Sequence, residues 1–465
     1  MARLAKLTAA AGAARALLAL GFRAAEKGSD PFSRKRGQTP FWSAALLLLA
    51  IAGCSPAARE DRATVRVWGL GREGEVLRDL VPDFERKNPG VRLFVQQIPW
   101  TSAHEKLLTA FVGRATPDLA QLGNTWIPEF AAIGALEPLE ESLARSATVS
   151  SSGYFPGVWA TSLYDGAVYG IPWYVDTRVL YYRPDLLARA GFPDAPRKWT
   201  EWLDAMRKMK RIQPPFAHPI LLPTNEWEQL AILGLQKGSP LLADNGTRGA
   251  FSGPEFRAAA EFYVGIFREG LAPIVSYSQL GNAYQEFARG NITMWMTGPW
   301  NLGEFRRRLS PAEQKLWMTA ALPAPDGTPW PGASFSGGSS LAVFRGSKHK
   351  AEAFKVIEFL SDPAVQARFY ALSGDLPAAR AAWDDPALAG DAKARAFRVQ
   401  VERVVAMPRV PEWEQIAQHM AERLEGAIRG RENLTAALAA IDRDVDRILE
   451  KRRWMLARRR ETHGR

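Results

Sequence analysis

Asp176 is a carboxylate set in an aromatic, β-branched run, Trp173-Tyr174-Val175-Asp176-Thr177-Arg178-Val179-Leu180-Tyr181-Tyr182. Burying an acid without a partner is costly, so Asp176 must face either an internal cation or a polar ligand. The second feature that could do chemistry is tryptophan. The chain has 16, repeatedly at loop positions after strands and mostly beside Gly, Pro or Asn: Trp68, Trp100, Trp126, Trp173, Trp227, Trp300 and Trp330. Singly, such a residue is more often core than platform. A tryptophan in the turn Gly298-Pro299-Trp300-Asn301, however, obeys neither the helix nor the strand period. Aromatic faces stack on the apolar faces of sugar rings while Asp, Glu, Asn and Arg bond the hydroxyls, so the set points to a carbohydrate cleft.

Catalytic and metal chemistry finds no support. The histidines at 104, 218, 349, 419 and 463 never stand at ligand spacing, and no H-E-x-x-H, C-x-x-C, P-loop or G-x-S-x-G occurs. No catalytic residue, metal or cofactor is expected. Gly69-Leu70-Gly71-Arg72-Glu73-Gly74 does match G-x-G-x-x-G. A dinucleotide site needs an acid at the end of the next strand, where this chain reads Gln96-Gln97-Ile98-Pro99. The glycines are read instead as letting the backbone approach another ligand at a helix N-terminus, with Glu73 as acceptor. Paired carboxylates for glycoside hydrolysis have no sequence mark, because their separation is a property of the fold. A hydrolase or lyase therefore stands as an alternative, as does a non-sugar solute such as a polyamine.

The elements that must position these residues follow an α/β pattern. Strand 63–68, an amphipathic helix from Glu75 with Val76, Leu77, Leu80, Val81 and Phe84 on one face, and strand 91–98 make a βαβ unit. Helix 101–112, strand 117–122 and helix 126–133 follow, which puts Asn124, Thr125 and Trp126 on a strand-to-helix loop, where open α/β sheets bind ligands. The run through Asp176 reads as a strand crossing between two regions, and Ala320-Ala321-Leu322-Pro323 as a second crossing. Two long helices, one carrying Trp413 to Ile428 and one Leu434 to Ile448, close the chain ahead of a basic tail expected to be solvated and frayed.

At 465 residues two domains are the default. The net charge of +11 is not a nucleic-acid signal. Residues 1–53 carry eight Lys/Arg against two Asp/Glu and residues 451–465 carry seven against one, which leaves −1 on the body between them. The lone cysteine, Cys54, follows Arg34-Lys35-Arg36, the apolar run Phe41 to Ala52 and Gly53. That order resembles a bacterial lipoprotein signal whose cleavage leaves Cys54 as a lipidated first residue. The expected layout is a leader over 1–53 and a lipid-anchor tether over 54–62.

An ordered set of short motifs carries a wider resemblance. It comprises Phe84-Glu85-Arg86-Lys87-Asn88-Pro89-Gly90, Gly134-Ala135-Leu136-Glu137-Pro138-Leu139, Tyr169-Gly170-Ile171-Pro172, Gly298-Pro299-Trp300, Ser336-Gly337-Gly338-Ser339 and Trp383-Asp384-Asp385-Pro386. In this order they resemble the sugar-binding lipoproteins of ABC importers, the maltose- and trehalose/maltose-binding proteins, over about residues 63–450. The resemblance implies an α/β, type II periplasmic-binding-protein-like fold of two lobes, with a hinge of crossing strands and the ligand in the interlobe cleft. The lobes expected are 63–174 with 323–362, and 175–322 with 363–450, followed by the basic tail 451–465. It implies an exported, lipid-anchored monomer that captures a mono- or oligosaccharide by lobe closure and hands it to permease subunits, with no nucleic-acid partner. By position it places sugar contacts at Glu73, Tyr174, Asp176, Trp300, Gly338 and Arg380. With the loop residues Trp100, Asn124, Trp126, Trp173, Trp227 and Gly337 these form the expected site.

Overall fold

Strand β1 (Ala63–Leu70) buries Val65 and Val67 and exposes Thr64 and Arg66, the alternation of a strand covered on one face. It belongs to a computed structural model that describes residues 62–276 and 279–463. The leader over 1–53, Cys54 and all of the tether but Arg62 lie outside the described residues. Helix α1 (Gly71–Lys87) follows β1 without a loop and buries Val76, Leu77, Leu80 and Phe84. Strand β2 (Val91–Ile98) pairs in parallel with β1 along its whole length, Ala63 opposite Val91 and Leu70 opposite Ile98, which completes the expected βαβ unit. The helix starts four residues before the expected Glu75, so Glu73 lies in its first turn.

The chain continues through α2 (Trp100–Val112), β3 (Leu119–Gly123), β4 (Ile171–Asp176), β5 (Val179–Tyr182), β6 (His218–Leu221), α3 (Glu228–Gln236), β7 (Ile292–Thr297), α4 (Trp300–Arg308), β8 (Met318–Ala320) and β9 (Gly337–Val343). It closes with α5 (Pro363–Ser373), β10 (Leu376–Pro377), α6 (Trp413–Ile428), α7 (Leu434–Ile448) and α8 (Glu450–His463). Two sheets organise these elements. The larger has the order β10-β4-β9-β3-β1-β2, and the smaller β8-β5-β7-β6. In the larger, β1 runs parallel to β2 and β3, and β9 runs antiparallel to β3 and β4. One core packs Phe84, Trp173 and Ile357 near the larger sheet; another packs Trp202, Trp413, Ile416 and Ile441 near the smaller. Each such side chain contributes about 1.5–3 kcal/mol through burial.

The run through Asp176 does cross between the sheets, with only Thr177 and Arg178 between β4 and β5. Val175 and Asp176, placed beyond the hinge by sequence reasoning, pair instead with Gly338 and Gly337 in the larger sheet. The second passage leaves β8 at Ala320, reaches the larger sheet only at Gly337, and so is longer than the expected four residues. Leu376 and Pro377, assigned to the second lobe, pair with Val175 and Tyr174 on the edge of the larger sheet, and Arg368 of α5 pairs with Asp83 of α1. The basic tail is not frayed: α8 is helical through His463. Arg453 fastens it by donating 2.8 Å to the Thr247 carbonyl and 2.6 Å to that of Asp446.

Candidate functional site

Alternation along β4 sorts the aromatic run. Successive strand side chains point to opposite faces, so Tyr174 and Asp176 share one face and Trp173 and Val175 the other. The first pair opens on a cleft of about 540 Å3, a volume suited to a small organic ligand. Trp173 is corrected from ligand contact to core, being 1% exposed with its ring 4.5 Å from Phe369. Arg380 is also absent from the lining. Its guanidinium stands 4.8 Å above Phe155 and 3.7 Å from Glu402, because the chain turns away after β10. The other ten expected residues, Glu73, Trp100, Asn124, Trp126, Tyr174, Asp176, Trp227, Trp300, Gly337 and Gly338, all line the cleft.

The turn from β1 into α1 explains one wall. Gly71 has φ +48°, and a Cβ there would lie 2.5 Å from Trp100 Cδ1. Glycine therefore lets the indole lie against the turn, where its Nε1 donates to both Glu73 carboxyl oxygens at 3.3 Å. The Tyr174 hydroxyl donates to Glu73 at 2.7 Å and accepts from Gln121 Nε2 at 3.1 Å and Ser339 Oγ at 3.0 Å. Gln121 in turn accepts the Leu70 N–H at 2.7 Å. Burial pushes the Glu73 carboxyl above the usual carboxylate range, although its bonds to Tyr174 and Trp100 favour the charged form.

Asn124 reaches the cleft but is already engaged. Its Nδ2 donates 2.9 Å to the Gly337 carbonyl and its Oδ1 accepts from Ser340 Oγ at 2.9 Å. At Gly338 φ is +105°, and a Cβ would meet the Tyr174 carbonyl at 2.3 Å, so only glycine passes here.

The hinge supplies the residue that sequence reasoning missed most plainly. Arg178, 3% exposed, donates through Nη1 to both Asp176 oxygens at 2.7 Å and through Nη2 to Glu228 at 2.9 Å. Burial opposes its charge, but Asp176 and Glu228 outweigh that and hold the guanidinium protonated. Its plane lies 4.7 Å from the Trp300 ring and 5.1 Å from Phe335, both within cation–π range. Trp300 folds back over its own turn: a Cβ on Gly298 would stand 1.9 Å from its ring. Asp176 thus meets both conditions posed for it, an internal cation on one side and the cleft on the other.

Glu226, Glu228, Glu304, Asp375 and Glu414 also reach the cleft. Burial, then Glu228, pushes Glu226 up to about 7; burial, then Glu73, holds Asp375 well above its usual range. Burial raises the Glu414 carboxyl, and the neighbouring Thr125 side chain opposes that shift. Weak signals existed for some of these. Glu226 and Glu228 flank Trp227, and Glu304 stands four residues after Trp300, one helical turn. Nothing local marks Glu414. Among the described residues no group of His, Cys, Asp and Glu is arranged to hold a metal ion, and no helix is long and apolar enough to cross a membrane.

Residues 68–367 match a family described as bacterial extracellular solute-binding protein. Among solved structures, the chain is similar to the sugar-binding protein MalE of Xanthomonas citri, at 48% identity and a TM-score of 0.80, covering 85% of this chain and 99% of that one. Among curated proteins, it is 25% identical to the diacetylchitobiose-binding protein DasA of Streptomyces coelicolor, over 79% of this chain and 87% of that one. It is 24% identical to a lactose-binding protein of Rhizobium radiobacter, over 69% and 74% respectively.

Proposed function

We propose, from the premise that this chain belongs to the family of bacterial extracellular solute-binding proteins, that its cleft captures a saccharide by lobe closure for delivery to an ABC-importer permease. The observation that carries the ligand class is the composition of the cleft wall. Trp100, Trp126, Trp227 and Trp300 give aromatic faces, and Glu73 and Asp176 are held by fixed donors beside them. That wall suits stacked sugar rings with bonded hydroxyls. The similarity to proteins named for binding sugar, diacetylchitobiose and lactose supports the same class.

The first lobe in this reading is built on the larger sheet and the second on the smaller, with the hinge at Thr177–Arg178 and again between Ala320 and Gly337. Closure brings ligand contacts from both lobes together, and that differential contact is what drives it. The protein performs no chemistry on the sugar, acts as a monomer, and is held at the membrane by a lipid on Cys54.

A second reading, an amine-bearing solute such as a polyamine, rests on a separate observation. Seven carboxyl groups line the cleft, at Glu73, Asp176, Glu226, Glu228, Glu304, Asp375 and Glu414, against the guanidiniums of Arg72 and Arg178. A thermal-shift screen against mono-, di- and trisaccharides, polyols and polyamines separates the two. A ligand at a hundredfold over its Kd adds about 2.7 kcal/mol of stability. A raised midpoint with one sugar class, the sugar recovered unchanged, is the expected result. A shift only with polyamines overturns the saccharide, and conversion of the sugar to product overturns the absence of catalysis.

A further inference from the structure

The positive charge of the C-terminal end is organised, not diffuse. Over Glu450–His463, α8 carries six Lys/Arg against two Glu, while the body before it is close to neutral. One edge of the helix is docked. Leu449 ahead of it is buried, Arg452, Arg453 and Leu456 are half-buried, and Arg453 bonds two backbone carbonyls of the body. The opposite edge, offset by two residues and so by roughly 200° around the helix, presents Lys451, Trp454, Met455 and Arg458 to solvent. Trp454 is 55% exposed and Met455 42%, and the Arg458 guanidinium lies 4.2 Å from the Trp454 ring.

A large aromatic ring and a thioether standing among cations, on a helix whose other edge is fixed, match the chemistry of a lipid headgroup layer. Tryptophan favours the membrane–water interface, arginine and lysine stems lie along apolar surface while their charges reach phosphates, and an anionic leaflet concentrates cationic helices. We propose that the outer edge of α8 docks on anionic phospholipid headgroups and orients the protein body on the membrane surface. The inference concerns a surface separate from the cleft and stands whether the cleft ligand is a sugar or an amine.

The chain has one cysteine, so Cys54→Ser gives a full-length, thiol-free background. Met455→Cys carrying an environment-sensitive fluorophore then reports on α8, and Phe94→Cys, an exposed site on β2, serves as control. With phosphatidylglycerol–phosphatidylcholine vesicles containing nitroxide lipid, the label at 455 shifts blue and is quenched. The label at 94 is not, and pure phosphatidylcholine vesicles leave both unchanged. High salt abolishes the response. Adding Lys451→Glu and Arg458→Glu, both on exposed positions, weakens partitioning roughly tenfold or more. Equal responses at 94 and 455 assign binding to the leader and overturn the proposal. So does no response at 455, or a response at 455 to polyglutamate that exceeds the response to vesicles, which reassigns the face to an acidic protein partner.

Discussion

Arg178 Nη1 stands 2.7 Å from both carboxylate oxygens of Asp176, two residues earlier in the chain, and the two residues straddle the point where the backbone leaves the larger sheet. The same guanidinium reaches Glu228 at the N-terminus of α3, next to the smaller sheet's core, and lies over Trp300. One cation therefore ties the hinge, a carboxylate lining the cleft and an aromatic wall. Replacing Arg178 by Met leaves two acids without their cation in a desolvated site. The expected loss of folding stability is about 3–5 kcal/mol, read by urea unfolding. Arg178→Lys should recover part of it, because an ammonium keeps the charge but loses the bidentate fork. Full stability in Arg178→Met would mean that the pair contributes nothing.

Trp300 and Trp173 should behave oppositely, although both are tryptophans beside turns. Trp300→Ala is expected to weaken saccharide binding by about 2–4 kcal/mol, the scale of a lost aromatic anchor, with a small effect on the unfolding midpoint. Trp173→Ala should cost about 3–5 kcal/mol of stability through the cavity it leaves, with the affinity of the folded fraction unchanged. Calorimetric titration and thermal unfolding of both variants decide it. Trp300→Ala binding within threefold of the parent would remove that ring from the site.

Stability should fall as pH rises through the window set by Glu226. Its carboxyl titrates near 7 in the folded protein against a usual value of 4.5. The folded state thus holds a proton that the unfolded state has released between those values, and the stabilisation present below 4.5 is lost as pH climbs to about 7. Glu226→Gln removes this component, so the gap in midpoint between variant and parent should widen from pH 4.5 to pH 7 and then stay constant. A constant gap across that range would show that folding does not raise the Glu226 carboxyl.

Gly338→Ala is expected to damage the cleft from the backbone. A Cβ there meets the Tyr174 carbonyl at 2.3 Å, in a φ of +105° that side chains avoid. The strain is of order 1–3 kcal/mol and falls on the β4–β9 pairing that carries Tyr174 and Asp176. A lowered midpoint together with weakened ligand binding is the expected pair of results. Gly166→Ala is the control, because it also has positive φ but nothing lies within 4 Å of its Cβ position. It should lower the midpoint without touching affinity.

Much of this protein is written locally. Alternation in β1 and β4, the apolar stripe of α1 and the turn residues around Trp100, Trp126 and Trp300 depend on neighbours two to four positions away, and such patterns survive in a linear string. Eight of the ten cleft residues were legible because each sits on a turn after a strand or on the cleft face of β4; Gly337, read as a loop residue, and Gly338, reached through the family resemblance, instead open strand β9. Trp173 was misread as a ligand contact, although its alternation with Tyr174 and Asp176 along β4 assigns it to the core.

What only the tertiary structure decided is where charge is taken out of water. Glu226, Glu304, Asp375 and Glu414 come from four segments separated by tens of residues, and even the tryptophans near Glu226 and Glu304 say nothing of how deeply those acids are buried. Their convergence, and the choice of Arg178 rather than a ligand as the partner of Asp176, depend on how the two sheets meet. Local propensity fixes the direction in which a side chain leaves the backbone; the desolvation and Coulomb terms that give it a role are sums over neighbours that the chain brings together only by folding.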